Sequence, residues 1–209
     1  ELVFLDISAT AEQRKTLPDL VKRIATAIDI PFTVGGGIST VSDAVTLIQS
    51  GADKISINTA AVLRPQLLSE IAEQLGSQCV TVAVDTKMVA GKEYVFIKGG
   101  STATALSTLD WVQQAAALGA GEILLTSISR DGTKAGFDLA ITDAVSRKVP
   151  VPVVASGGAG RKEDFLSLFR HTTATGALAA GIFHFGELSI PELKTYLKTK
   201  IFLYDESGL

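Results

Sequence analysis

The sequence is poor in the residues that disulfide, metal and nucleic-acid chemistry require. A single cysteine, Cys79, among 209 residues cannot close an intrachain disulfide. The two histidines, His171 and His184, have no ligand spacing with Cys79 or with carboxylates and no serine-protease order, so neither a metal site nor a serine nucleophile is expected. The 19 Lys and Arg residues form no cluster and are outnumbered by 22 Asp and Glu, a net charge of -3 that leaves no footprint for nucleic acid or an anionic membrane surface. No apolar run reaches the length of a membrane span and no signal-peptide pattern opens the chain, which together with the lone thiol points to a reducing cytosol.

What is present is a 46% hydrophobic chain with 19 glycines, the composition of a globular protein whose strands are buried on both faces. Short β-branched or apolar runs alternate with amphipathic segments, the pattern of successive βα units around a parallel sheet. Seven strands are expected: Leu2 to Ile7, Phe32 to Gly35, Lys54 to Asn58, Val80 to Asp85, Glu122 to Ser127, Val151 to Ala155 and Gly176 to Ala180. Helical spacing follows the first strand at Leu17, Leu20, Val21, Ile24 and Ile28, and the third at Leu67, Leu68, Ile71 and Leu75. Glu93 to Lys98 reads as a hairpin return through Val89-Ala-Gly-Lys92, and Ser189 with Glu192 as a capping box for the last helix.

An internal repeat fixes the architecture. Glu1-Leu-Val-Phe-Leu-Asp-Ile7 matches Glu122-Ile-Leu-Leu-Thr-Ser-Ile128, and Ile30-Pro-Phe-Thr-Val-Gly-Gly-Gly37 matches Val151-Pro-Val-Val-Ala-Ser-Gly-Gly158, both at an offset of 121. Ser56-Ile-Asn-Thr59 then matches Leu178-Ala-Ala-Gly181 at 122. The first three units thus correspond to the last three, and the unit at Val80 lacks a partner. The sequence reads as one domain over residues 1–209, with 1–77 matching part of 78–209, made of units two to eight of a parallel (βα)₈ barrel. A seven-stranded open sheet is the alternative.

In parallel barrels the functional groups sit at the C-terminal ends of strands. Gly35-Gly-Gly-Ile38 and Ser156-Gly-Gly-Ala-Gly160 end strands there, where missing Cβ atoms let an anion approach backbone N–H groups. Tight turns alone would also explain such runs; their repetition favours two equivalent phosphate cradles, one at Gly37, Asn58 and Thr59, the other at Ser156, Gly157, Gly158, Ala180 and Gly181. Neither run has the spaced dinucleotide fingerprint. Three aspartates lie at strand ends, Asp6, Asp85 and Asp131 of the loop Ser129-Arg-Asp-Gly132-Thr-Lys134. A half-desolvated carboxyl at a barrel mouth suits general acid or base work, with a helix cap or loop acceptor as the plainer reading of each. Thr126 and Ser127 are candidates to bind substrate hydroxyls, while Glu1, Lys54 and Glu122 read as solvated charges at strand starts.

The segments Phe32-Thr-Val-Gly-Gly-Gly-Ile38, Lys54-Ile-Ser-Ile-Asn-Thr-Ala-Ala61, Val84-Asp-Thr-Lys87, Gly121 through Asp138 and Val154-Ala-Ser-Gly-Gly-Ala-Gly160 closely resemble the cyclase subunit of imidazole glycerol phosphate synthase, over essentially the whole chain. The histidine-pathway isomerase is similar in its barrel and repeat, but Leu125-Thr-Ser-Ile128 and Ile182-Phe-His-Phe185 look like the cyclase. The resemblance implies a reaction of ammonia, delivered by a glutaminase partner, with a bisphosphorylated substrate, and implies no cofactor. It assigns catalysis to Asp85, substrate contacts to Asp131, Gly132 and Thr126, and a charged ammonia gate to Glu1, Lys54 and Glu122. The family's other catalytic aspartate belongs to a first strand outside this sequence, from which feeble turnover is expected, or else a phosphate-binding scaffold without catalysis. Exposed edge strands are expected to pair between copies. At Gly181 the family has a serine, so a hydroxyl donor is lost there.

Overall fold

The computed structural model describes residues 1–6 and 18–205. Along the chain run β1 (Leu2–Leu5), α1 (Pro18–Ala25), β2 (Phe32–Gly35), α2 (Val41–Gln49), β3 (Lys54–Ile57), α3 (Thr59–Leu63) and α4 (Gln66–Leu75). After a 3₁₀ turn at Ser77–Cys79 come β4 (Val80–Val89), β5 (Lys92–Ile97), β6 (Thr102–Ser107), α5 (Thr108–Ala117), β7 (Glu122–Ser127) and α6 (Leu139–Lys148). The last elements are β8 (Val153–Ser156), α7 (Lys162–His171), β9 (Gly176–Leu178), α8 (Gly181–His184) and α9 (Ile190–Asp205).

Among the described residues seven strands pair in parallel in the order β1-β2-β3-β4-β7-β8-β9, each followed by helix, in the case of β4 only after β5 and β6, which is the (βα)₈ barrel type of sheet. The sheet is curled. Strands β3 and β7 lie on opposite sides of β4, yet the Lys54 and Glu122 side chains meet at 2.9 Å, which only a concave face allows. Lys54, Glu122, Thr33 and Thr81 mark that inner face at the strand starts, and the two-residue alternation along each strand carries it to Asp85 and Thr126 at the other end. The opposite face packs on the helices, with Trp111, Phe32, Ile55 and Leu68 all at most 1% exposed. A second cluster forms around β8 and β9, where Phe165 of α7 stands edge-on to Phe137 with ring centroids 5.3 Å apart. Fully burying one such side chain contributes about 1.5 to 3 kcal/mol, so truncating Phe165 or Trp111 would cost a large share of the stability.

Several expected boundaries move for local reasons. The first strand ends at Leu5, although Asp6 N–H still reaches Gly35 O at 2.8 Å; Ile7 and Leu17 lie outside the described residues. The third ends at Ile57 because Asn58 leaves extended geometry (φ -120°, ψ -84°), and the last ends at Leu178. The sixth begins at Val153 rather than Val151, since Pro152 has no N–H for a ladder. The fourth runs four residues past Asp85 to Val89, held by an antiparallel partner, β5. The turn joining them has φ of 49° at Ala90 and 82° at Gly91, the pair of left-handed residues that a two-residue hairpin matches to strand twist. The return strand starts at Lys92 rather than Glu93, and β6 is an addition the sequence reading did not anticipate. Ser189 Oγ accepts from Glu192 N–H at 3.3 Å, one half of the expected capping box.

Candidate active site

Asp85 stands on the inner face where β4 changes partners. β3 stops pairing at Ile57 opposite Val82, and β5 takes over that edge, with Phe96 opposite Asp85. On its other side Asp85 faces Thr126 of β7, which in turn faces Ser156 of β8. One row across the mouth therefore presents a carboxyl and two hydroxyls.

Asn58, just past β3, donates from Nδ2 to Asp85 Oδ2 at 2.9 Å and to Phe96 O at 3.4 Å, while its buried Oδ1 has no partner among the described residues. Burial pushes the Asp85 carboxyl up to about 6; the Asn58 hydrogen bond works against this, and the negative charge of Asp131 adds to it. Asp85 is thus a carboxyl able to change protonation near neutrality, next to an amide oxygen with unused hydrogen-bonding capacity. Both features suit a polar ligand in the mouth.

The two halves place their glycine runs alike. Gly36 (φ 106°) lies against the backbone of Asp6 after β1, and Gly157 (φ 90°) would bring a Cβ within 2.8 Å of Ser127 O after β7. Both positions need glycine for the backbone angle and for the close approach. Gly37 and Gly158 follow at φ of 66° and 103°. One unit further on, Asn58 (φ -120°, ψ -84°) and Ala180 (φ -110°, ψ -70°) share a conformation and each opens a short helix, α3 or α8. Thr59 Oγ1 accepts from Lys98 N–H at 3.0 Å, and its own hydrogen has no acceptor among the described residues. Gly181 has no hydroxyl to offer at the equivalent place.

The loop after β7 is exposed at Asp131 and Gly132, with open space around Gly132 Cα, and it is fastened by Lys134 to Glu187 at 2.6 Å. Ser127 is the residue the structure does not bring into this group. It is 4% exposed on the outer face and donates to Asp138 Oδ2 at 3.0 Å, because consecutive strand residues point to opposite faces and Thr126 already faces inward.

At the strand starts Lys54 bonds Glu122 at 2.9 Å and Glu1 at 3.2 Å, Glu1 accepts from Thr33 at 2.6 Å, and Glu122 from Thr81 at 2.9 Å. Burial alone would lower the Lys54 pKa; its two carboxylate partners outweigh that and raise it. These charges are an organised, inward-facing cluster rather than separately solvated side chains.

Residues 1–189 match the family model described as histidine biosynthesis protein. The chain belongs to that family. It is 55% identical over 199 residues to imidazole glycerol phosphate synthase subunit HisF of Hydrogenobaculum sp. (strain Y04AAS1), covering 95% of this chain and 79% of that protein. The same named subunit from Streptococcus sanguinis (strain SK36) is 55% identical over 93% of this chain and 77% of its own length, and that of Geobacillus kaustophilus (strain HTA426) is 54% identical over 96% and 80%. This member of the histidine biosynthesis family is accordingly an enzyme, akin to the cyclase subunits of the synthase.

Proposed function

We propose that the chain performs the cyclase step in which ammonia and phosphoribulosyl-formimino aminoimidazole carboxamide ribonucleotide give imidazole glycerol phosphate, aminoimidazole carboxamide ribotide and water. The observation that carries this reading is Asp85, an inward-facing carboxyl with a pKa lifted to about 6, held by Asn58 between two matching glycine turns. A substrate with a phosphate at each end would span the mouth, one phosphate at Gly37, Asn58 and Thr59, the other at Gly157, Gly158, Ala180 and Gly181. In those turns backbone N–H groups can face the anion, supplemented by the hydroxyls of Thr59 and Ser156. Thr126, Asp131 and Gly132 would line the space between them.

Ammonia must shed protons as its nitrogen bonds to carbon, and protons must be returned to the departing ribotide nitrogen and to the carbonyl oxygen that leaves as water. Ionised Asp85 can accept one such proton and, once protonated, give it back. The Lys54, Glu1 and Glu122 cluster lies at the opposite end of the strands, where ammonia from a glutaminase partner would enter. Two assays test this reading. Turnover with ammonium salt should be abolished or nearly so by Asp85→Asn, and glutamine-supported turnover with a glutaminase subunit should respond to Lys54→Met more than ammonium-supported turnover does. Full activity in Asp85→Asn would remove Asp85 from the chemistry.

A further inference from the structure

Behind Asp85, on the outer face of the same strands, lies a polar group that the proposed chemistry does not use. Thr86, wholly buried, donates from Oγ1 to Glu93 Oε2 at 2.8 Å and lies 2.7 Å from Thr108 Oγ1 at the start of α5. An ionised carboxylate only accepts, and Thr86 has a single hydroxyl hydrogen, so the chain of bonds runs from Thr108 to Thr86 to Glu93. Glu93 sits opposite Met88 in the hairpin and reaches diagonally to Thr86. Three elements, β4, β5 and α5, are tied at one point.

At that point β4 keeps its parallel partner β7, with Thr86 opposite Ser127, but has already lost β3 on its other edge. Beyond Val82 this edge of the strand has no partner in β3, and from Asp85 onward, among the described residues, it pairs with the β5 hairpin. Asn58, which bonds Asp85, also bonds the hairpin at Phe96 O, so hairpin and carboxyl share one anchor. Alternation then couples the two faces, because a shift of Thr86 outward or along the strand moves Asp85 with it.

We propose that Glu93 is a positioning residue for Asp85: by fixing Thr86 on the outer face it sets the approach of the Asp85 carboxyl to Asn58 on the inner face. Glu93 is half-buried, and its own pKa is raised, first by burial and then by the negative Asp138, with the Thr86 bond opposing. The burial it accepts is consistent with a structural tie at this place. The inference rests on the reading of Asp85 as the proton-transfer group.

The test follows the Asp85 carboxyl directly by carbon NMR of labelled aspartate, assigned by difference from Asp85→Asn, in the parent and in Glu93→Ala, Glu93→Gln and Thr86→Val. Loss of the tie should lengthen the Asn58 bond, which holds the pKa down, and so raise the Asp85 midpoint by about half a unit or more in Glu93→Ala and Thr86→Val. Removing a negative charge would by itself move the midpoint down, so an upward shift reports position and not charge. Glu93→Gln, whose amide oxygen still accepts from Thr86, should stay near the parent. In ammonium-supported turnover the first two variants should lose about ten- to a hundredfold in kcat with KM within about twofold, and Glu93→Gln should recover most of it. An unmoved or lowered midpoint in folded Glu93→Ala overturns the proposal even if the melting temperature falls, and so does Glu93→Gln behaving like Glu93→Ala. Where Thr86→Val does not fold, the two Glu93 variants decide. A parent that does not turn over would count against the cyclase reading, while the titration still decides the positioning role.

Discussion

Asp85 carries two consequences that can be measured separately. Its pKa rises from 3.8 in the open chain to about 6 in the fold, so the native state binds more protons between those values and stability declines as pH climbs through that window. Above pH 6 the ionised, half-desolvated carboxylate remains a standing cost. Asp85→Asn keeps an oxygen to accept the Asn58 bond while removing that charge, and should stabilise the protein at pH 7.5 by roughly 1 to 3 kcal/mol, a gain that vanishes near pH 4. Urea unfolding at the two pH values checks it. The same variant should lose about 10² to 10⁴ in turnover, the size of a positioned proton-transfer group, and the parent's kcat/KM should fall as pH drops through about 6 because the base form is then lost. Greater stability with lost activity is the expected trade at a functional carboxyl.

The βα turns are where element-level demands are most exacting. Gly157 combines a left-handed φ of 90° with a neighbouring carbonyl 2.8 Å from where a Cβ would stand, whereas Gly132 has a similar φ of 73° but open space around it. Gly157→Ala should cost about 2 to 4 kcal/mol and weaken phosphate binding, and Gly132→Ala should cost only about 1 kcal/mol, the price of the backbone angle alone. Thermal melts with and without inorganic phosphate separate the two. Six of the seven parallel strands, and the helix spaced on Leu67, Leu68, Ile71 and Leu75, could be placed in the sequence to within a residue or two by their apolar periodicity. The sheet extension could not. Thr102 to Ser107 has weak alternation and partly exposed residues, and its strand conformation depends on pairing with β5, which is itself a hairpin return of β4. Nothing within six residues of sequence marks that dependence.

At the scale of the molecule the repeat predicts two anion sites, and linkage turns this into a stability measurement. Phosphate at 100 times its dissociation constant stabilises by about 2.7 kcal/mol per site. Two equivalents of phosphate per chain should bind in calorimetry, and Gly158→Ala should remove one. A single site in the parent would break the equivalence of the halves. At the other end of the strands, Lys54→Met should leave Glu1 and Glu122 facing each other half-buried, at a cost of about 1 to 3 kcal/mol that Glu122→Gln partly restores; urea unfolding of the single and double variants checks it. The sequence by itself determined the parallel βα order, the glycine turns, the strand-end aspartate at Val84-Asp-Thr-Lys87 and the family, because strand period, turn chemistry and long motifs are local properties of the chain. Only the tertiary structure decided that Ser127 faces away from its neighbour's site, which bonds join Lys54 to Glu1 and Glu122, and that Glu93 and Thr108 converge on Thr86. Those facts depend on which face of a curled sheet each side chain takes and on which distant strands the curvature brings together.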